Sequence, residues 1–123
     1  MNDRARIAIV DDDESVRESL PDLLRSSGYD TIAFASAQAF LTSGSIDSVD
    51  CLVLDVAMPG MSGPELQQEL NRAGHRVPII FITAHSIEGL WRDLLRNGAV
   101  ARLHKPFSEE EILSAIGTAL KPD

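Results

Sequence analysis

The chain has 123 residues, 44% hydrophobic and 24% charged, with a formal net charge of −8. That size suits one domain around one core, and the composition is that of a folded protein, not a disordered one. No apolar run approaches the roughly 18 residues of a membrane span, and Lys and Arg are scattered, so neither a bilayer nor a nucleic-acid backbone is suggested as a direct partner.

Met1-Asn2-Asp3-Arg4 leads into no apolar signal region, which argues against export. The single cysteine, Cys51, excludes an internal disulfide and fits a reducing cytoplasm. Within its apolar run it reads as a small core side chain. The acidity suits a cation ligand or a basic partner surface, or serves solubility alone.

Ala5 to Val10 reads as a first strand, and its last four residues are continuously apolar, as burial on both faces requires. Asp11-Asp12-Asp13-Glu14 follow at once. Val16, Leu20, Leu23 and Leu24 then recur at helical spacing as far as Ser27, with Gly28 as the stop. Pro21 inside that pattern predicts a kink or a shifted helix start. Thr31 to Ala35 is a shorter, mixed strand, and Ser36 caps a short helix through Phe40 and Leu41. Thr42-Ser43-Gly44-Ser45 is loop.

Val49 to Asp55 is a third strand that ends on a carboxylate, followed by the turn Met58-Pro59-Gly60-Met61-Ser62-Gly63. Pro64 marks the start of a helix through Leu66 and Leu70 to Gly74. Val77 to Thr83 is a fourth apolar strand. Ile87, Leu90, Trp91, Leu94 and Leu95 form a helical stripe from Ser86 to Asn97, closed by Gly98. Ala99 to His104 is a fifth strand, interrupted by Arg102. Ser108 with Glu111 makes a capping box for a last helix whose Ile112, Leu113, Ile116 and Leu120 face the core. Lys121-Pro122-Asp123 is a tail.

Five βα units joined by short connections imply parallel strands, right-handed crossovers and helices on both faces. The first, third and fourth strands are pure apolar runs and belong in the centre, while the mixed second and fifth belong at the edges. That is the doubly wound, flavodoxin-like (βα)5 sheet of order 2-1-3-4-5. One domain fills residues 1–123.

The polar signals gather at strand ends: Asp11-Asp12 after the first, Asp55 on the third, Thr83 on the fourth, Lys105 after the fifth. In an open parallel sheet these ends share one rim, where ligands bind. Crowded carboxylates stay protonated in part or take up a cation, and hard oxygen donors completed by water suit Mg²⁺. Cations and donors converging on one carboxylate are what phosphoryl transfer to that carboxylate needs. Singly, the signals have plainer readings. Asp13 and Glu14 are explained as helix-start acids, Asp55 alone as a solvated strand end, and Lys105-Pro106 as turn chemistry. His75, His85 and His104 lack zinc-ligand spacing, and no P-loop, G-x-G-x-x-G or G-x-S-x-G occurs. His85 sits at the rim, and plain exposure accounts for it.

Together, Val10-Asp11-Asp12, Asp55 with Met58-Pro59-Gly60-Met61-Ser62-Gly63, Thr83-Ala84 and Lys105-Pro106-Phe107 resemble the receiver domain of two-component response regulators, over essentially the whole chain. The turn after Asp55 and Ala84-His85 are most similar to the FixJ-like branch. The resemblance implies a cytoplasmic signalling phosphoacceptor rather than an enzyme. Asp55 would take a phosphoryl group from a sensor histidine kinase or phosphotransfer protein. Asp12 would bind Mg²⁺ directly and Asp11 through water, with Asp55 and the backbone carbonyl of Ala57. Lys105 would pair with the phosphoryl oxygens, its bond to Pro106 being cis, and Thr83 would swing toward the phosphoryl group. The face of the fourth helix, fifth strand and fifth helix would switch, and could carry a homodimer.

Two features depart from the family. Arg102 stands where receivers usually have the Tyr or Phe that follows the Thr inward, so it would have to answer the new charge electrostatically. Trp91 and Leu94 replace the Ala common in this branch, which stiffens the helix or creates a contact surface. Arg102 motivates a second reading, an interaction module that keeps the fold without switching by phosphorylation. A third, a Mg²⁺-dependent phosphatase with an Asp nucleophile, needs a second acid where Ala57 stands.

Overall fold

The computed structural model describes residues 4–121. Met1 to Asp3 and the last two residues of the tail, Pro122 and Asp123, lie outside it. The elements alternate: β1 (Arg6–Val10), α1 (Glu14–Ser26), β2 (Asp30–Phe34), α2 (Ala37–Thr42), β3 (Cys51–Asp55), α3 (Gly63–Arg72), β4 (Ile79–Thr83), α4 (Glu88–Arg96), β5 (Ala99–His104) and α5 (Glu109–Leu120), with a 3₁₀ turn at Ile46–Ser48. The strands form one sheet of order β2-β1-β3-β4-β5, parallel throughout. Both the order and the assignment of edges follow the sequence pattern.

Side chains alternate across the sheet, so each apolar strand feeds two cores. Ala8, Val10, Leu52, Leu54, Ile79 and Phe81 pack with Phe40, Leu66, Leu70 and Leu94 of α2, α3 and α4. Ile7, Ile9, Cys51, Val53, Ile80 and Ile82 pack with Leu20, Leu24, Ile112 and Ile116 of α1 and α5. Burial pushes the Cys51 thiol up to about 12, which makes it a small inert core side chain.

Helix starts are fixed by side chains at their caps. Asp13 accepts from the Ser15 N–H, and Ser36 from the Ala39 N–H. Ser62 with Glu65, and Ser108 with Glu111, form reciprocal capping boxes.

The differences from the sequence pattern lie mostly at element ends. β3 begins at Cys51 rather than Val49, because the 3₁₀ turn runs to Ser48. β4 begins at Ile79 rather than Val77. Pro78 has no N–H for a ladder, though its carbonyl still accepts from Leu52. α4 begins at Glu88 rather than Ser86, with no side chain capping its first turn. Pro21 does not shift the start of α1, which runs from Glu14 through Pro21 to Ser26 as one element.

One irregularity has structural weight. Between Ile79 and Ile80 the pairing steps from Ala99 to Ala101, skipping Val100. A one-residue step reverses the faces of everything after it. Ala101 and Leu103 therefore turn to the α1/α5 core, and Arg102, opposite Phe81, turns to the α4 side.

Candidate functional site

Strand register assembles the site. Val10 pairs with Leu54, so Asp11 and Asp55, the next residues, emerge side by side where the sheet order reverses between β1 and β3. Asp55 pairs with Ile82, and Thr83 with His104. Thr83 and Lys105 therefore reach the same rim, where the Lys105 N–H donates to the Thr83 carbonyl at 2.7 Å. The Lys105–Pro106 bond is cis.

Carboxylate oxygens of Asp11, Asp12 and Asp55 all lie within 4.8 Å of one another. Lys105 Nζ is 2.7 Å from Asp11 Oδ2 and 3.7 Å from Asp55 Oδ2. The Asp13 N–H donates to Asp11 Oδ1 at 2.9 Å. Asp11 is fully buried and Asp55 only 5% exposed, whereas Asp12 is exposed, so the cluster opens to solvent on its Asp12 side.

The protonation balance reflects this crowding. Burial first, then the charge of Asp11, pushes the Asp55 carboxyl up to about 7, against the pull of Lys105. For Lys105, burial acts downward, but the hydrogen-bonding and charge contributions of Asp11, then the charge of Asp55, outweigh it and the ammonium is strengthened. Asp13 is lowered by the Ser15 hydroxyl and N–H that it accepts.

The donor set fits a hard divalent cation. Three carboxylates and one ammonium leave a formal charge of −2. Asp11 Oδ2 is buried, and its contact is the Lys105 ammonium at 2.7 Å. Oxygen donors with capacity to spare, open to water on one side, match Mg²⁺ preferences.

The two residues expected to form the switch are engaged away from the acids. The Thr83 hydroxyl donates to the His85 carbonyl and accepts from the His85 N–H, both at 3.0 Å. The Arg102 guanidinium joins α4, 3.4 Å from Glu88 Oε1 and 5.1 Å from the Trp91 ring centroid. Ala57 is exposed in the turn after Asp55.

Two supporting contacts are not announced by the sequence, one from Arg17 and one at Gly63 of the turn. Arg17 of α1 donates to the Asp11 backbone carbonyl at 3.1 Å. Gly63 brings α3 so close that a Cβ there would strike the Asp55 carbonyl oxygen and sit 3.1 Å from Asp55 C and Val56 Cα. A Gly after a turn signals tightness in sequence, but not which backbone it approaches.

A groove of about 750 Å³ lies at the opposite end of the sheet, bordered by His75, Arg76, Arg96 and Lys121. The carboxyl ends of α3, α4 and α5 also point there, and their dipoles account for cations at that end.

A family model for the response regulator receiver domain matches residues 7–117. The chain belongs to the response-regulator receiver family. Receivers are signalling domains, generally not classed as enzymes. This receiver is 44% identical to the response regulator TodT of Pseudomonas putida over 122 residues, covering 98% of the chain and 54% of TodT. It is 41% identical to the transcriptional regulatory protein FixJ of Azorhizobium caulinodans, covering 93% of the chain and 54% of FixJ. The chain thus spans about half the length of these curated relatives. Among solved structures, the response regulator StyR aligns with a TM-score of 0.89 at 44% identity, covering 95% of this chain and 59% of StyR. FixJ-N aligns with a TM-score of 0.84 at 37% identity, covering 98% and 95%. No described helix is long and apolar enough to cross a membrane.

Proposed function

We propose that this receiver takes a phosphoryl group on Asp55 from a phosphohistidine of a sensor histidine kinase or phosphotransfer protein, in a Mg²⁺-dependent reaction in the cytoplasm. The observation that carries the reading is the position of Asp55. It is a nearly buried carboxylate, 3.7 Å from a lysine ammonium and clustered with two further acids, at the switch point of the sheet. A bond forms from Asp55 oxygen to phosphorus as the phosphorus–nitrogen bond of the phosphohistidine breaks, and the imidazole leaves.

Asp11, Asp12, Asp55 and the backbone carbonyl of Ala57 would hold the cation. When bound, it supplies positive charge to the carboxylates and to the oxygens of the transferred group. Lys105 is the fixed positive group on the other side, and its ion pair with Asp11 aims the ammonium across the rim. With its carboxyl near 7, Asp55 is part-protonated in neutral metal-free protein, and only the carboxylate is nucleophilic. Thr83 leaves His85 for the new phosphoryl oxygens, and with Arg102 it forms the switch. The α4-β5-α5 face then governs an output element or a second copy of the chain.

Incubation with Mg²⁺ and a small acyl phosphate, followed by intact mass, tests this. One phosphoryl group should be gained, with loss of the gain in Asp55→Asn and in the presence of a chelator. Absence of labelling by any donor or histidine kinase would leave the second reading, an interaction module that does not switch by phosphorylation. Arg102, standing in place of the usual switch aromatic, is the feature that motivates that module. Turnover of added phosphate esters would point to the phosphatase.

A further inference from the structure

α4 is held very differently at its two ends. Near its carboxyl end, Leu94 is its one buried residue, and two amides of α3 grip the last carbonyls. Gln67 Nε2 donates to the Leu94 carbonyl at 3.0 Å, and Asn71 Nδ2 to the Asn97 carbonyl at 2.9 Å. These are acceptors that a helix end otherwise leaves unpaired. Gln67 is 1% exposed, and its Oε1 is buried without a partner. A hydrocarbon side chain would avoid that cost, so the position is specified by the grip on α4.

The amino end has no such hold. No side chain caps it, and Ile87, Leu90 and Trp91 pack against the core only partly buried. What reaches it from the sheet is Arg102, which the β5 irregularity turns to this side. Its guanidinium lies over Trp91 and beside Glu88, contacting both of the first two turns at once.

We propose that α4 is a lever, pivoted at its carboxyl end by Gln67 and Asn71 and latched at its amino end by Arg102, and that modification of Asp55 opens the latch. This rests on the phosphoacceptor reading above. The route is short. The Thr83 hydroxyl holds the His85 backbone by two hydrogen bonds, and Glu88 follows His85 by three residues. When Thr83 turns to the phosphoryl group, both bonds are released, and the segment that positions Glu88 against Arg102 is freed. The first turns of α4 then swing out, and Trp91 leaves the guanidinium.

Trp91 is the only tryptophan of the chain, so its fluorescence reads the latch directly. Acrylamide quenching and amide hydrogen exchange would be measured on wild type, Arg102→Met and Glu88→Gln, with and without Mg²⁺ and acetyl phosphate, with intact mass as the record of phosphoryl uptake. The Leu90 and Trp91 N–H groups, both bonded to the Ile87 carbonyl, report the amino end, and Asn97 N–H, bonded to Asp93, the carboxyl end. In unmodified Arg102→Met, quenching should rise and the Leu90 and Trp91 amides should exchange roughly three- to tenfold faster, as loss of one cation–π contact implies, while Asn97 stays as in wild type. Phosphorylated wild type should show the same pattern, and phosphorylated Arg102→Met no further change. Unchanged Trp91 quenching in both variants, or equal acceleration at Asn97, would overturn the lever. A phosphorylated wild type with Trp91 still protected would overturn its release. Failure of wild type to take up phosphoryl groups counts against the phosphoacceptor reading instead, and the comparison of unmodified proteins still decides the latch.

Discussion

The acidic rim and the α4 flank lie next to each other, yet they are built on opposite principles. The rim is set by backbone: ladder register puts Asp11 beside Asp55 and carries Lys105 to the same edge. The flank is set by side chains: two amides, one buried leucine and one guanidinium hold α4. Backbone register moves only if the sheet moves, so the placement of the acids and the lysine is robust. Side-chain contacts of about 1 kcal/mol each can be exchanged singly, so the flank is where a small input produces displacement.

The hardest test of a backbone-built rim is Gly63→Ala. The added Cβ collides with the Asp55 carbonyl, which is backbone and cannot rotate away. Either α3 shifts or the end of β3 does. A loss of roughly 3 kcal/mol or more is expected, read by urea unfolding, together with weaker Mg²⁺ binding. A variant of wild-type stability would show that the rim tolerates backbone adjustment, and the contrast with α4 would collapse.

Asp55→Asn should act in the other direction. The folded-state carboxyl stands at about 7, above its ordinary value of 3.8, chiefly through burial and then Asp11. Below about pH 4, folded and unfolded chains are both protonated, and the group costs nothing. As pH rises toward 7 the unfolded chain ionises first, so stability drains from the fold, and above 7 the penalty is complete. In chelator, Asp55→Asn should therefore match wild type near pH 4 and exceed it by roughly 2–4 kcal/mol at pH 8. Mg²⁺ should narrow the gap by stabilising wild type. A gap independent of pH would mean that Asp55 is not held in a strained charge state.

The same contrast explains what could be read from sequence. Strand order was legible because burial on two faces writes itself as runs such as Cys51 to Leu54 and Ile79 to Ile82. The rim was legible because its acids and lysine directly end those strands, and Ser108 with Glu111 signals a helix start by spacing alone. What escaped depends on three-dimensional coincidence. Skipping Val100 decides the face of Arg102, and nothing in Ala99-Val100-Ala101 announces it. The grip of Gln67 and Asn71 joins residues 27 and 26 positions apart. Gly63 faces a carbonyl eight residues earlier, and the Thr83 hydroxyl has a choice between loop and rim that composition cannot make.

The smallest expected effect belongs to Glu88, and it separates the two halves of the Arg102 contact. The pair spans 3.4 Å and the Glu88 side chain is 80% exposed, so Glu88→Gln should change global stability by no more than about 0.5 kcal/mol. Its effect on Trp91 quenching should be a fraction of that of Arg102→Met, because the guanidinium remains over the ring. Salt gives an independent check. About 1 M NaCl screens an exposed ion pair almost fully, so wild type in high salt should come to resemble Glu88→Gln, and Glu88→Gln itself should respond little. If salt instead raised Trp91 quenching to the Arg102→Met value, the ion pair would be the whole latch and the ring only a bystander. The flank would then be held by one screened charge contact, weaker still beside the backbone-built rim.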